Sequence, residues 1–206
     1  MKNSKKTICF INGSLRGSKS SSLKFINYLS GLIQNSELEK VVIPVKPRLV
    51  DRYPDLTLQE IGNADIIVIV FPLYSYCLPG GLVKLLEEFH EYSQKNKINS
   101  VAKVYAIVNC AYVDPIINNE AIRVIENFCT RLQLDWRFAI AVGCGPVTLI
   151  TKSVDYKLYR ALKSIKKDME VNTIEKNNTI YVKPMIPRII MDTIRTQLDR
   201  NALKVK

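Results

Sequence analysis

His90 is the only histidine and Trp136 the only tryptophan among 206 residues. One imidazole cannot build a histidine-centred metal site, and a Ser-His or Cys-His nucleophilic pair would have to use that single ring. Cysteine is sparse and odd in number: Cys9, Cys77, Cys110, Cys129 and Cys144 include no CxxC spacing. That pattern argues against a zinc site or a disulfide frame, and for reduced thiols in a cytosolic protein. Long apolar runs are missing too, since none approaches the ~20 residues of a membrane span. The N-terminal Met1 to Lys6 is basic, but the apolar run behind it covers only Ile8 to Ile11. It is too short for the core of a secretory signal and reads as a strand. Acidic residues are also in short supply. The formal charge is +11, and residues 151–206 carry 13 Lys/Arg against 6 Asp/Glu. Such an excess suits an anionic small ligand, anionic lipid or nucleic acid, or reflects no more than a lysine-rich solvated surface.

What is present has the rhythm of an α/β protein. Five apolar segments alternate with helical patterns: Ile8–Ile11, Val41–Val45, Asp65–Phe71, Val104–Asn109 and Phe138–Gly143. The second carries Pro44 and suits an edge strand, whereas the continuous β-branched third suits a strand buried on both faces. Between them, Ser20–Gln34, Leu56–Asn63, Gly80–Gln94, Asn118–Leu132 and about Lys152–Met169 place apolar residues at helical spacing. The alternation predicts an α/β fold: a doubly wound, five-stranded parallel sheet in the order 2-1-3-4-5, with helices on both faces. Length and the lack of linkers or repeats predict one domain, with a core of about residues 7–170. Residues 171–206 form a basic C-terminal extension. In it Thr179–Val182 reads as a short extra strand or extended segment, and Arg188–Leu203 as a basic helix.

Ligands of such sheets bind beyond the carboxyl ends of the strands, which directs attention to the loops at 12–22, 72–79, 109–117 and 143–151. The first runs Asn12-Gly13-Ser14-Leu15-Arg16-Gly17-Ser18-Lys19-Ser20-Ser21-Ser22 and opens a helix. Unpaired N–H groups at a helix start, glycines that let backbone approach a ligand, and clustered hydroxyls together make a phosphate cradle. The triphosphate-loop pattern GxxxxGK[ST] fails, because Ser18 separates Gly17 from Lys19; the dinucleotide pattern GxGxxG fails for want of a third glycine. A hydroxyl-and-amide loop of the flavodoxin type fits best, and a serine-rich helix cap accounts for Ser20 alone. The second loop, Phe71-Pro72-Leu73-Tyr74-Ser75-Tyr76-Cys77-Leu78-Pro79-Gly80-Gly81, combines prolines, tyrosines and a glycine pair. Its flat rings and stiff backbone suit a planar aromatic ligand.

Together, Gly13–Ser20, Phe71–Tyr74 with Leu78-Pro79-Gly80, Asn109-Cys110-Ala111-Tyr112 and Gly143-Cys144-Gly145 resemble the flavodoxin-like NAD(P)H-dependent FMN reductase and quinone reductase family. The resemblance spans about residues 7–146. It implies that Ser14, Ser20, Ser21 and Ser22 bind the FMN phosphate with Arg16 nearby. Pro72, Leu73, Tyr74 and Ser75 would line one side of the isoalloxazine, and Asn109, Cys110, Ala111 and Tyr112 the other. Gly143 and Gly145 would let a ring or substrate approach. This sequence has Leu15 where many relatives have proline, and Ser21-Ser22 where they have Asn-Thr. Segment 46–55 is short and holds no cysteine, which excludes the iron–sulfur branch.

The resemblance implies an oxidoreductase in which NAD(P)H is the co-substrate, FMN the cofactor and a quinone, flavin or other small molecule the electron acceptor. It also implies a homodimer. No acid–base residue is required, so scarce histidine is no objection. His90, in Glu87-Glu88-Phe89-His90-Glu91, reads as a solvated helix position, and Trp136, ahead of the fifth strand, as packing. Cys77 and Cys110 read as small buried side chains. Two other classes stay open: an electron carrier with FMN but no nicotinamide site, and a cofactor-free interaction protein whose basic tail lies on anionic lipid. The aromatic–basic interleaving of a nucleic-acid platform is absent.

Overall fold

The computed structural model describes residues 5–34, 38–46, 48, 51–145, 156–171 and 178–183. Six parallel strands form one sheet in the order β2-β1-β3-β4-β5-β6. They are β1 Lys6–Asn12, β2 Leu38–Pro44, β3 Ile66–Pro72, β4 Lys103–Asn109, β5 Asp135–Val142 and β6 Asn178–Val182. The helices are α1 Ser21–Leu32, α2 Asp55–Asn63, α3 Gly80–Lys95, α4 Asn119–Arg131 and α5 Tyr156–Val171.

Strand alternation divides the core in two. Cys9, Ile11, Ile67, Ile69, Phe71, Val104, Ala106 and Val108 point to the face covered by α2, α3 and α4. Ile8, Phe10, Ile66, Val68, Val70, Tyr105, Ile107, Phe138 and Ile140 point to the face covered by α1 and α5. Neighbouring residues thus belong to opposite cores, and a strand such as β3 is apolar throughout because neither face meets water. On α5 the buried positions Leu158, Ala161, Leu162, Ile165 and Asp168 recur at helical spacing.

The expected doubly wound parallel sheet and its 2-1-3-4-5 order are present, and a sixth strand extends them. After α5 the chain returns as β6 and pairs in parallel with β5, from Phe138↔Asn178 to Val142↔Val182. Val182 enters the α1/α5 core with Ile180 packed against it. Strand β2 is an edge strand that ends at Pro44, as the proline suggested. Trp136 lies inside β5 rather than ahead of it, buried in the α2/α3/α4 core. The basic helix expected at Arg188–Leu203 falls outside the described residues.

Strand order reverses between β1 and β3, which lie side by side with β1 also paired to β2. At such a switch point the connections leave in opposite directions and open a crevice above the strand ends. The β1–α1 and β3–α3 loops flank it, held together at the base by the Gly13 N–H donating to the Val70 carbonyl at 2.8 Å.

Candidate functional site

The first loop is organised by a residue that sequence reasoning passed over. Asn12 closes β1 almost fully buried. Its Oδ1 accepts from the Ser14 N–H (3.3 Å) and the Ser20 hydroxyl (3.4 Å), while its Nδ2 donates to the Gly17 carbonyl (3.2 Å). One amide thereby ties both ends of the hydroxyl loop to its middle. The only signal for it was an Asn-Gly pair at a strand end, which is also common in plain turns. Gly13 permits the tight fit: a Cβ there would lie 2.6 Å from the Phe71 Cβ. Gly17 takes a left-handed φ of +52° to turn the chain toward the helix.

Ser20 caps α1, its Oγ accepting from the Leu23 N–H at 3.0 Å. The Ser14 Oγ accepts from the Arg16 N–H at 3.3 Å. Ser14, Ser20 and Ser22 are buried, Ser21 is half-buried, and Arg16 and Lys19 project into solvent. Ser22 is 1% exposed and its hydroxyl has no protein partner. A buried hydroxyl left unbonded costs roughly 1–3 kcal/mol. Here it stands in the first turn of α1, where N–H groups lack intrahelical acceptors and the dipole favours an anion. A donor left without a partner among these first-turn amides is one that a phosphate would satisfy.

The β3–α3 loop begins on the sheet and ends in a tight turn. The Leu73 N–H donates to the Asn109 carbonyl (2.8 Å), and the Asn109 Nδ2 to the Phe71 carbonyl (3.0 Å). Asn109 is therefore spent on joining the β3 and β4 loops. Beyond it, Tyr74 and Cys77 exchange reciprocal backbone hydrogen bonds of 3.0 Å each. Ser75 and Tyr76 between them adopt φ of 48° and 65°. Left-handed φ at both central residues is the signature of a type I′ turn, which favours Asn and Gly. Serine and tyrosine hold it at a cost, and such strain concentrates where function needs it. Pro72 and Leu73 are half-buried; Tyr74, Ser75, Ala111 and Tyr112 are exposed.

Tyr76 and Tyr112 meet across the two loops. Their rings stack with centroids 5.5 Å apart and planes 19° from parallel, and the Tyr76 hydroxyl donates to that of Tyr112 at 2.9 Å. Tyr76 stood in the motif that drew attention to this loop, but it was not among the expected site residues.

The third loop turns inward on its own chain. A Cβ on Gly143 would lie 2.3 Å from the Val113 carbonyl oxygen, and one on Gly145 2.6 Å from the Asn109 Oδ1. These glycines admit the 109–113 loop. The Cys144 N–H donates to the Tyr112 carbonyl (2.7 Å) and its thiol faces the Ala111 carbonyl at 3.6 Å. The Cys110 thiol lies among the carbonyls of Tyr112, Asp114 and Val142, and burial raises the pKa of both thiols. The shift disfavours the reactive thiolate at both positions. Cys110 is buried as expected. Cys77 is not: it ends the tight turn with its side chain exposed. His90 is half-buried on α3 rather than fully solvated.

Among the described residues no group of His, Cys, Asp or Glu could hold a metal, and no helix is long and apolar enough to cross a membrane.

No family model matches the chain, and no curated protein matches it. Solved structures do. General stress protein 14 from Treponema denticola, determined in complex with FMN, is 17% identical over 80% of this chain and 99% of its own, with a TM-score of 0.56. An NADPH-quinone reductase from P. pentosaceus is 15% identical over 78% of this chain and 96% of its own, with a TM-score of 0.55. An NAD(P)H:quinone oxidoreductase from Methanothermobacter marburgensis is 11% identical over 78% and 97%, also with a TM-score of 0.55. With the strand order and the crevice at its reversal, these likenesses identify the architecture as the flavodoxin-like fold.

Proposed function

We propose that the chain is an FMN-dependent oxidoreductase, taking electrons from NAD(P)H and passing them to a small acceptor such as a quinone or a free flavin. The observation that carries this reading is the Ser22 hydroxyl, buried and unpartnered at the start of α1 beside Ser14 and Ser20. Support comes from the fold neighbours that are named as reductases or that hold FMN.

In this reading Ser14, Ser20, Ser21 and Ser22 and the free amides of the first helical turn hold the phosphate, with the Arg16 guanidinium close outside. Pro72 to Ser75 form one wall for the ring system and Asn109 to Tyr112 the other. Asn109 acts through the loops it joins, and Gly143 and Gly145 act by letting the second wall settle onto β5. When bound, FMN supplies two-electron redox chemistry through its ring. The protein's own part is to place that ring at the sheet end, to exclude water with the two loops, and to offer loop N–H groups to its polar edge. The homodimer and the cytoplasmic setting implied by the sequence belong to the same proposal.

Titrating the purified protein with FMN, and then adding NADPH without oxygen, tests the reading. Saturable quenching of flavin fluorescence, followed by bleaching of the bound flavin's visible absorbance, is the expected result. FMN binding without NADPH bleaching would instead favour the electron carrier, and absence of binding would remove the redox assignment.

A further inference from the structure

The two helical layers that cover the sheet differ in charge. Helices α2, α3 and α4 carry seven acids against four bases. Helices α1 and α5, which pack side by side on the opposite face, carry six bases against two acids. Of those two acids, Asp168 is turned inward onto Arg137, so Glu170 is the one exposed acid along this pair of helices. On α5 the buried Leu158, Leu162 and Ile165 leave Tyr156, Arg160, Lys163 and Lys167 in line on the outer side, at helical spacing. That line is about 16 Å long. Tyr156 is 70% exposed, and the Arg160 guanidinium lies over its ring at 5.7 Å. Tyr159 of α5 and Lys24 and Tyr28 of α1 are exposed on the same layer.

Charge sorted by layer means that an anionic plane meets the molecule in one orientation. Five of the six bases are lysines, compact point charges that suit a diffuse anionic surface, whereas nucleic-acid readout draws on the bidentate arginine fork. Tyrosines place a flat apolar body and a polar hydroxyl at one boundary, and lysine stems reach past it. We propose that the α1/α5 face docks on a bilayer containing anionic lipid, with the α5 bases against the charged headgroups and the tyrosine rings at the headgroup boundary. The acidic α2/α3/α4 layer then faces water. In that pose the sheet lies flat over the bilayer, and the crevice at the strand ends opens along its surface. Arg16 and Lys19, exposed in the loop before α1, continue the positive charge to the mouth of that crevice. The docking surface is independent of the flavin reading, since none of its residues belongs to the proposed ring walls or serine cradle.

Flotation of the whole chain with vesicles, in about 0.1 M salt where charges more than about 10 Å from the bilayer are screened, tests the docking surface. Binding is expected to phosphatidylcholine vesicles with about one third phosphatidylserine, and not to phosphatidylcholine alone. Arg160→Glu, Lys163→Glu and Lys167→Glu together should weaken it at least about tenfold. Arg52→Glu, Lys97→Glu and Arg123→Glu, at exposed bases on or beside α3 and α4, change the net charge equally and should leave binding within about threefold. Circular dichroism checks that both triple variants keep the fold. An equal loss in the two would mean that net charge alone attracts the protein, and no loss in the first would put the contact elsewhere in the chain; either result overturns the proposal. Tyr156→Ala with Tyr159→Ala removes no charge and should weaken binding about three- to tenfold. Unchanged binding in that variant, or tighter binding of wild type to a single-stranded oligonucleotide than to the vesicles at equal anion concentration, would take the face away from lipid.

Discussion

At the scale of single residues the site is a set of conflicts between stability and use. Ser22 would serve the free protein better as alanine, which forms helix more readily and removes a buried unpaired hydroxyl. Ser22→Ala is therefore expected to raise the urea midpoint of the FMN-free protein while weakening FMN at least about tenfold, the loss of one charge-assisted hydrogen bond. Equal FMN affinity in the two proteins, read by fluorescence titration, would remove Ser22 from the cradle. The thiols make a different prediction. Burial pushes the Cys9 and Cys129 pKa values up to about 12, from an ordinary thiol value of 9.0. Above pH 9 the unfolded chain releases these protons and the folded chain keeps them. Stability contributed by the buried thiols is present in full below about pH 9 and is lost as pH rises toward 12. Urea midpoints at pH 7.5 and pH 10 should show the fall, and a Cys9→Ala, Cys129→Ala protein should show less of it. Iodoacetamide on the native protein should label Cys77 first, since it alone of the five is exposed.

At the scale of elements, α5 is fastened to the sheet by a buried ion pair. Arg137 of β5 donates from Nε and Nη2 to the two oxygens of Asp168, at 2.9 and 3.1 Å, and the Tyr105 hydroxyl of β4 adds a third bond at 3.0 Å. Asp168 holds the Arg137 pKa up, and burial beside that carboxylate raises that of Tyr105. The Lys103 Nζ reaches the Asp168 and Met169 carbonyls, where the helix dipole favours a cation. Removing one member takes from the other its buried ion-pair partner. Asp168→Ala is expected to cost about 3–5 kcal/mol in chemical denaturation, whereas Arg137→Met with Asp168→Leu should lie nearer wild type than either single change. Additive losses in that cycle would refute the coupling. This pair was invisible in the sequence: Arg137 sits in an apolar strand run and Asp168 31 positions on in a basic helix. Strands β1 to β5 and the helices were legible within a few residues because alternation and helical spacing are local signals. The β6 pairing was not, since Asn178–Val182 is short and its partnership with β5 is decided by the crossover through α5. The hydroxyl loop was read from its composition. The knot that Asn12 ties within it, and the turning of Gly143 and Gly145 toward their own chain, depend on how separate loops meet above the sheet.

At the scale of the whole molecule, a chain read as binding anionic nucleotides carries a formal charge of +11. The field should raise encounter with NADPH and fade once salt shortens its reach to about 10 Å at 0.1 M. The second-order rate of flavin reduction by NADPH is expected to fall severalfold between 20 mM and 500 mM salt, while a neutral quinone acceptor is little affected. A salt-independent NADPH rate would leave the positive charge without a part in nucleotide capture.

The tight turn at Ser75-Tyr76 gives protein engineers a clear warning. A stability-guided redesign would write Asn-Gly there, because those residues accept left-handed backbone at little cost. The edited chain should melt later. It would also lose the aromatic ring that reaches the neighbouring loop, and with it the stack and hydroxyl bond to Tyr112.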